Sequence, residues 1–219
     1  MKHILLAFFL ISLTANAQSA AEIVNRHIEA TGGIQNWNNL NSIRIKGIVS
    51  MEFGESVDIL IEHRRPYLKR VSFINGGQEQ LSEGYDGTNA YTYNPVNGRV
   101  KALTPYTPDP FETDLLNYES KGFTVELQGR EIIDGRETYK IVLTKNTNRT
   151  TYWFDSKNYH LLKEENKDEV VRYSQVKKVG DLYFSHRIEA RPHGGREYVL
   201  EFHQITPNAG FSPKRFEFK

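Results

Sequence analysis

From Ser42 onward the chain alternates apolar and polar residues in short runs. Ile43, Ile45, Gly47, Val49, Met51 and Phe53 fall on one side of a first run. Val57, Ile59, Ile61 and His63 do so in a second, and Tyr67, Lys69, Val71 and Phe73 in a third. A period of two places alternate side chains on opposite faces of a strand, so each run predicts a strand with one apolar face. The pattern returns downstream, where Tyr139, Ile141 and Leu143 alternate with Lys140, Val142 and Thr144, and Thr151 and Trp153 with Tyr152 and Phe154. Turn residues interrupt the runs at Gly54-Glu55, Asn75-Gly76-Gly77, Asp86-Gly87, Asn97-Gly98, Asp134-Gly135, Asp155-Ser156-Lys157-Asn158, Gly180-Asp181 and Gly194-Gly195. Short strands at such spacing predict a mainly β fold, an antiparallel meander of about ten strands in one domain.

Helical signals are few. Ser19-Ala20-Ala21-Glu22 is a capping box, and Gly32-Gly33 supplies a stop. Between them Ile23, Val24, His27, Ile28 and Thr31 share a stripe that predicts docking on the sheet, with His27 a hydrogen-bonded edge residue rather than a ligand. A short turn with Ile34, Trp37 and Leu40 follows. In mid-chain the alternation lapses at Thr104-Pro105-Tyr106-Thr107-Pro108-Asp109-Pro110, and Phe111, Leu115 and Tyr118 then share a helical face. A short helix over the sheet is expected from Phe111 to Tyr118.

The N-terminus changes the picture of where the domain works. Lys2 and His3 precede an apolar stretch from Ile4 to Leu13, and Ala15-Asn16-Ala17 has the small-x-small form of a cleavage site. Residues 1–17 are thus expected to be a signal peptide and residues 18–219 the exported domain, with the periplasm as destination. The apolar stretch is short of the roughly 20 residues a membrane span needs. With no cysteine, the chain has neither a disulfide framework nor a lipidated cysteine. Losing Lys2 leaves 27 basic against 27 acidic side chains, and the pairs Arg64-Arg65 and Lys177-Lys178 are too scattered for a phosphate-binding stripe, so nucleic acid is not an expected partner. Asn148-Arg149-Thr150 has the form of a glycosylation acceptor but is expected to be unused.

Signs of catalysis are thin. Glu201 and His203 share a strand face, with His186 and His193 as possible neighbours, yet there is no metalloprotease helix motif, so neither a metal nor another cofactor is expected. No nucleophile elbow, P-loop or dinucleotide fingerprint occurs, and acidic pairs such as Glu164-Glu165 read as solvated turns. A binding protein is the expectation. A long sheet with one apolar face must cover that face. Alternation leaves two solutions open: helices fill it as an ordinary core, or the sheet curls into a half-barrel whose gap holds a hydrophobic ligand.

One further pattern bears on that choice. Arg64-Arg65-Pro66 is followed by a strand and then by Tyr85-Asp86-Gly87-Thr88-Asn89-Ala90-Tyr91-Thr92-Tyr93-Asn94-Pro95. Gly135 to Leu143, Thr151-Tyr152-Trp153-Phe154-Asp155 and Phe216-Glu217-Phe218 come later. In this order the chain resembles the LolA-like periplasmic lipoprotein-sorting carriers, although it stops at Lys219 where the best-known members continue. The resemblance implies a curved antiparallel half-barrel with helices over its concave face, shielding acyl chains of a lipoprotein or another lipid on the way to the outer membrane. Partners would be inner- and outer-membrane transfer proteins. It implies that Arg65 latches a helical lid and that Val71 and Phe73 face the cavity. Val49, Met51, Ile59, Ile61, Tyr91 and Tyr93 are expected to border the same space. Related folds also serve as envelope sensors that dock a protein, which is the alternative reading.

Overall fold

The computed structural model describes residues 18–52, 54, 56–94, 99–108 and 112–218. The expected signal peptide, Phe53, Glu55, Pro95, the Asn97-Gly98 turn, the Asp109-Pro110 pair and Phe111 lie outside the described residues. Among the described residues two helices come first, α1 (Ala20–Ala30) and α2 (Ile34–Asn38). Thirteen strands follow among the described residues: β1 (Ser42–Met51), β2 (Val57–Arg64), β3 (Leu68–Asn75), β4 (Gln78–Tyr85), β5 (Ala90–Asn94), β6 (Arg99–Leu103), β7 (Thr124–Ile133), β8 (Arg136–Lys145), β9 (Asn148–Asp155), β10 (Leu161–Glu165), β11 (Glu169–Val179), β12 (Leu182–Pro192) and β13 (Tyr198–Pro207). A short 3-10 turn, Pro213–Phe216, closes it.

All thirteen strands join one sheet in the order β6-β5-β4-β3-β2-β1-β13-β12-β11-β10-β9-β8-β7. The paired strands run antiparallel, and β13 returns to lie beside β1, which turns two meanders into one sheet. The sheet is not closed into a barrel; β6 and β7 are its edges. The count exceeds the expected ten, and the turns at Gly180-Asp181 and Gly194-Gly195 separate the long strands β11, β12 and β13.

The expected stripe explains the placing of α1. Ser19 accepts from the Glu22 amide at 3.1 Å and starts the helix. Ile23 and Val24 are then buried with Leu115, Tyr139, Ile141, Leu143, Tyr152 and Phe154, so this helix seals the β7 to β9 end of the sheet. The helix stops where Gly32 takes φ 122°, and a Cβ there would lie 2.4 Å from the Asp181 carbonyl oxygen. Only glycine lets the helix end come this close to the β11–β12 hairpin, and the Tyr183 amide donates to Thr31 O at 3.0 Å across that junction.

Two expectations about local structure need correction. The segment after Phe111 is a series of turns from Asp114 to Gly122 rather than a helix to Tyr118, and Asn117 sits at φ 53°. Its apolar residues still dock: Leu115 and Leu116 are buried, as the periodicity of Leu115 and Tyr118 required, but a positive φ interrupts the α conformation. The second correction concerns β5. Between β3 and β4 the register shifts, so that Ser72 opposes Leu81 while Val71 opposes Glu83. This leaves Ser82 as an extra residue. Such a bulge reverses the alternation beyond it, and Gly84 then shares a face with Arg70 and Tyr91 instead of with Val71. The Tyr91 ring rests 4.8 Å from that of Phe218, on the face away from the helices.

Candidate functional site

Beneath α2 the sheet is not filled. A cavity of about 300 Å³ lies between the helices and the middle strands. Its floor is Ile43 and Ile45 of β1, Ile61 and His63 of β2, Phe202 and Ile205 of β13, and Phe184 and Ile188 of β12. These positions come from the alternating faces, and antiparallel pairing aligns them: Ile45 opposes both Ile61 and Ile205. The roof is Trp37 and Leu40 from the α2 segment, His27 and Thr31 from α1, and Glu112 and Thr113 from the mid-chain turns. Tyr173, Val176, His160 and Leu161 complete one side.

The cover is held by polar contacts. Arg65, just past β2, donates from Nε to Leu40 O at 2.7 Å and from Nη2 to Trp37 O at 3.0 Å. Trp37 is in the last turn of α2, where its carbonyl also accepts from the Leu40 amide at 3.2 Å, and Leu40 lies just beyond the helix. Glu112 pairs with Arg65 Nη2 at 3.4 Å, so one guanidinium ties α2 and the mid-chain turns to the end of β2. The Trp37 indole donates to Thr31 Oγ1 at 3.1 Å, and its ring meets Phe184 edge-on at 5.5 Å.

The enclosed imidazoles are neutral. Burial pushes His27 down to about 4, opposed by the hydrogen-bond contact of its Nδ1 with Tyr159 O at 2.8 Å. Burial, with Lys69 nearby, pushes His63 to about 4 as well. Glu164 and Glu165, expected in a solvated turn, lie instead in β10, where Tyr173 donates to Glu164 at 3.0 Å and burial raises the Glu164 carboxyl above its usual range. The residues around the cavity therefore disfavour unpaired charge.

Of the eight residues expected at the site, Ile61 lines the cavity. Val49 and Ile59 are buried on the same sheet face one step further along, with Val71 and Phe73 half-buried beside them in register. Met51, at the end of that row, is 44% exposed. Tyr91 and Tyr93 are on the opposite face, for the reason given by the bulge. Sequence reasoning did not place Phe184, Ile188, Tyr173 and Phe202 at the site, because no local signal brings β11 to β13 alongside β1. Among the described residues no group of His, Cys, Asp or Glu is arranged to hold a metal ion, and Glu201 is engaged with Arg187 at 2.6 Å.

No family model matches the sequence, and no curated protein resembles it closely enough to register. Solved structures do match. A LolA superfamily protein, NE2245 from Nitrosomonas europaea, superposes with a TM-score of 0.60 at 14% identity, covering 92% of this chain and 99% of that one. The protein has a LolA-like fold. A DUF1329 family protein from Desulfovibrio piger superposes equally well, at 0.60 and 12% identity, over 92% of this chain and 98% of its own. At such identities the LolA-like likeness is one of backbone architecture, and the cavity must be judged on its own residues.

Proposed function

We propose that this LolA-like protein is an exported carrier that shelters acyl chains of a lipoprotein or another lipid beneath α2, with no catalytic step of its own. The observation that carries the reading is the unfilled apolar floor under a cover held by Arg65. Burying each methylene is worth about 0.8 kcal/mol, so a partly enclosed chain suffices for useful affinity. The cavity is at the small end of the roughly 300–1,000 Å³ typical of ligand sites, which suits a closed, empty state that widens on loading. The row Ile59, Val49, Val71 and Phe73 extends the apolar floor for the rest of a longer chain. Met51, 44% exposed, is where that row reaches solvent. Transfer to the outer membrane, from an inner-membrane donor to an outer-membrane acceptor, is the task such a shuttle would perform. No helix among the described residues is long and apolar enough to cross a membrane.

Uptake of a fluorescent fatty-acid analogue by detergent-free protein tests the reading. The wild-type protein should bind it, and Ile61→Glu should abolish uptake with the far-ultraviolet circular dichroism intact. Wild-type protein that takes up no alkyl probe, and carries no lipid by native mass spectrometry, would refute the carrier.

A further inference from the structure

The cavity wall includes one carboxylate, Glu112, that shelter for an alkyl chain does not require, and two cations stand behind it. Glu112 lines the cavity with its side chain 13% exposed, and stands between two cations. Its Oε2 is 3.4 Å from Arg65 Nη2 and its Oε1 is 3.8 Å from Lys121 Nζ. Both separations are longer than normal hydrogen bonds, so attraction between charges rather than fitted donors holds the carboxylate there. The cations have other obligations: Arg65 to the carbonyls of Leu40 and Trp37, Lys121 to Thr113 O at 3.1 Å. Burial pushes the Lys121 ammonium below its ordinary value, although Glu112 and Asp114 both draw it up. Arg65 and Lys121 are 26% and 22% exposed, which puts the cluster where the apolar cavity meets water.

A cavity for an amphiphile needs a polar end at such a boundary. We infer that Arg65 and Lys121 form a subsite for the carboxylate head of a fatty acid, and that Glu112 occupies this subsite while the cavity is empty. The inference rests on the carrier reading and specifies its ligand. Exchanging one carboxylate for another conserves charge, and the displaced Glu112 regains water, so neither state leaves a partly buried anion unpaired. The tail would lie on Ile43, Ile45 and Ile61, beneath Trp37. A ligand head on Arg65 would also compete with the Leu40 and Trp37 carbonyls for its donors. Loading would thereby loosen the cover, because a guanidinium has only five N–H groups to share.

The test compares palmitate with methyl palmitate, which has the same chain and no charge, by displacement of an alkyl fluorophore. Glu112→Gln removes the internal competitor and should raise the ratio of acid to ester affinity about tenfold, whereas Lys121→Gln should lower it about as much. Thermal melting of both variants confirms folding, and a Lys121→Arg variant, which keeps the charge, should restore the ratio. If acid and ester change equally in both variants, the subsite is refuted and the carrier stands. If neither ligand binds the wild-type protein, the carrier reading and this inference fall together.

Discussion

The two helices cover the same face of the same sheet in different ways. Over β7 to β9, α1 inserts Ile23 and Val24, each with at most 1% of its surface exposed, among Tyr139, Ile141, Tyr152 and Phe154, and the space is full. Over β1, β2, β12 and β13, the five-residue α2 has no buried residue within its span and is fastened by Arg65 and by the Trp37 indole. The strands beneath are similarly apolar in both regions. What differs is the cover: eleven residues are enough for a stripe that plugs, whereas a single turn and a half can only bridge. A hollow persists where the lid is held by a few directional bonds at its rim rather than by side chains driven into the floor.

Core truncation should separate the regions most sharply. Phe154 is fully buried, its ring 4.8 Å from that of His27, and Phe154→Ala should cost about 3–5 kcal/mol in urea unfolding. Phe184→Ala, beside the cavity, should cost roughly half as much, since Phe184 already borders empty space. Equal losses would erase the distinction between plug and lid.

Acid should act through two imidazoles that border the cavity, His27 on α1, whose ring also meets Phe154, and His63 on β2. His27 and His63 are held down to about 4, whereas unfolded imidazoles bind protons near 6.5. Between those values the unfolded chain holds more protons, so stability is complete above pH 6.5 and declines as pH falls toward 4. The loss should reach up to about 3 kcal/mol for each imidazole. His27→Leu should remove about half of that pH-dependent loss, measured by denaturation at pH 7 and pH 4. An unchanged slope would show that His27 gains its proton without unfolding.

The smallest effect should be the most local. Arg65→Leu deletes the bonds to Trp37 O and Leu40 O, but water can reach those carbonyls at this partly exposed site, so the global cost should be about 1 kcal/mol and the change should release the cover rather than unfold the sheet. Amide exchange should then quicken in residues 34–40 and stay slow in α1. Acceleration of both helices together would mean that they move as one cover and that Arg65 is no latch.

Much of this was legible in the chain. The Ser19 cap and the Ile23, Val24 and Ile28 stripe marked α1, and the rows Ile43–Val49 and Ile59–Phe73 fell on one face as alternation required. The resemblance singled out Arg65, whose guanidinium donates to Trp37 O in α2 and to Leu40 O beyond it; its action as a latch is a proposal. Tyr91 and Tyr93 were misplaced by one residue of register. A bulge at Ser82 leaves no mark in hydrophobicity, yet it turns every later side chain of the pair through the sheet.

By itself, then, the sequence determined the local choices: which runs extend, which segment coils, and which side of each strand is apolar. Those depend on side-chain period and turn chemistry within a few residues, and they are readable without the fold. Only the tertiary structure decided that β13 closes against β1, bringing Phe202 and Ile205 to Ile43 and Ile45, and that Glu112 meets Arg65 and Lys121. Such meetings join residues far apart in the chain, and their distances are set by how much of the floor each helix fills. A cavity is volume left over when packing is finished, so no residue encodes it alone.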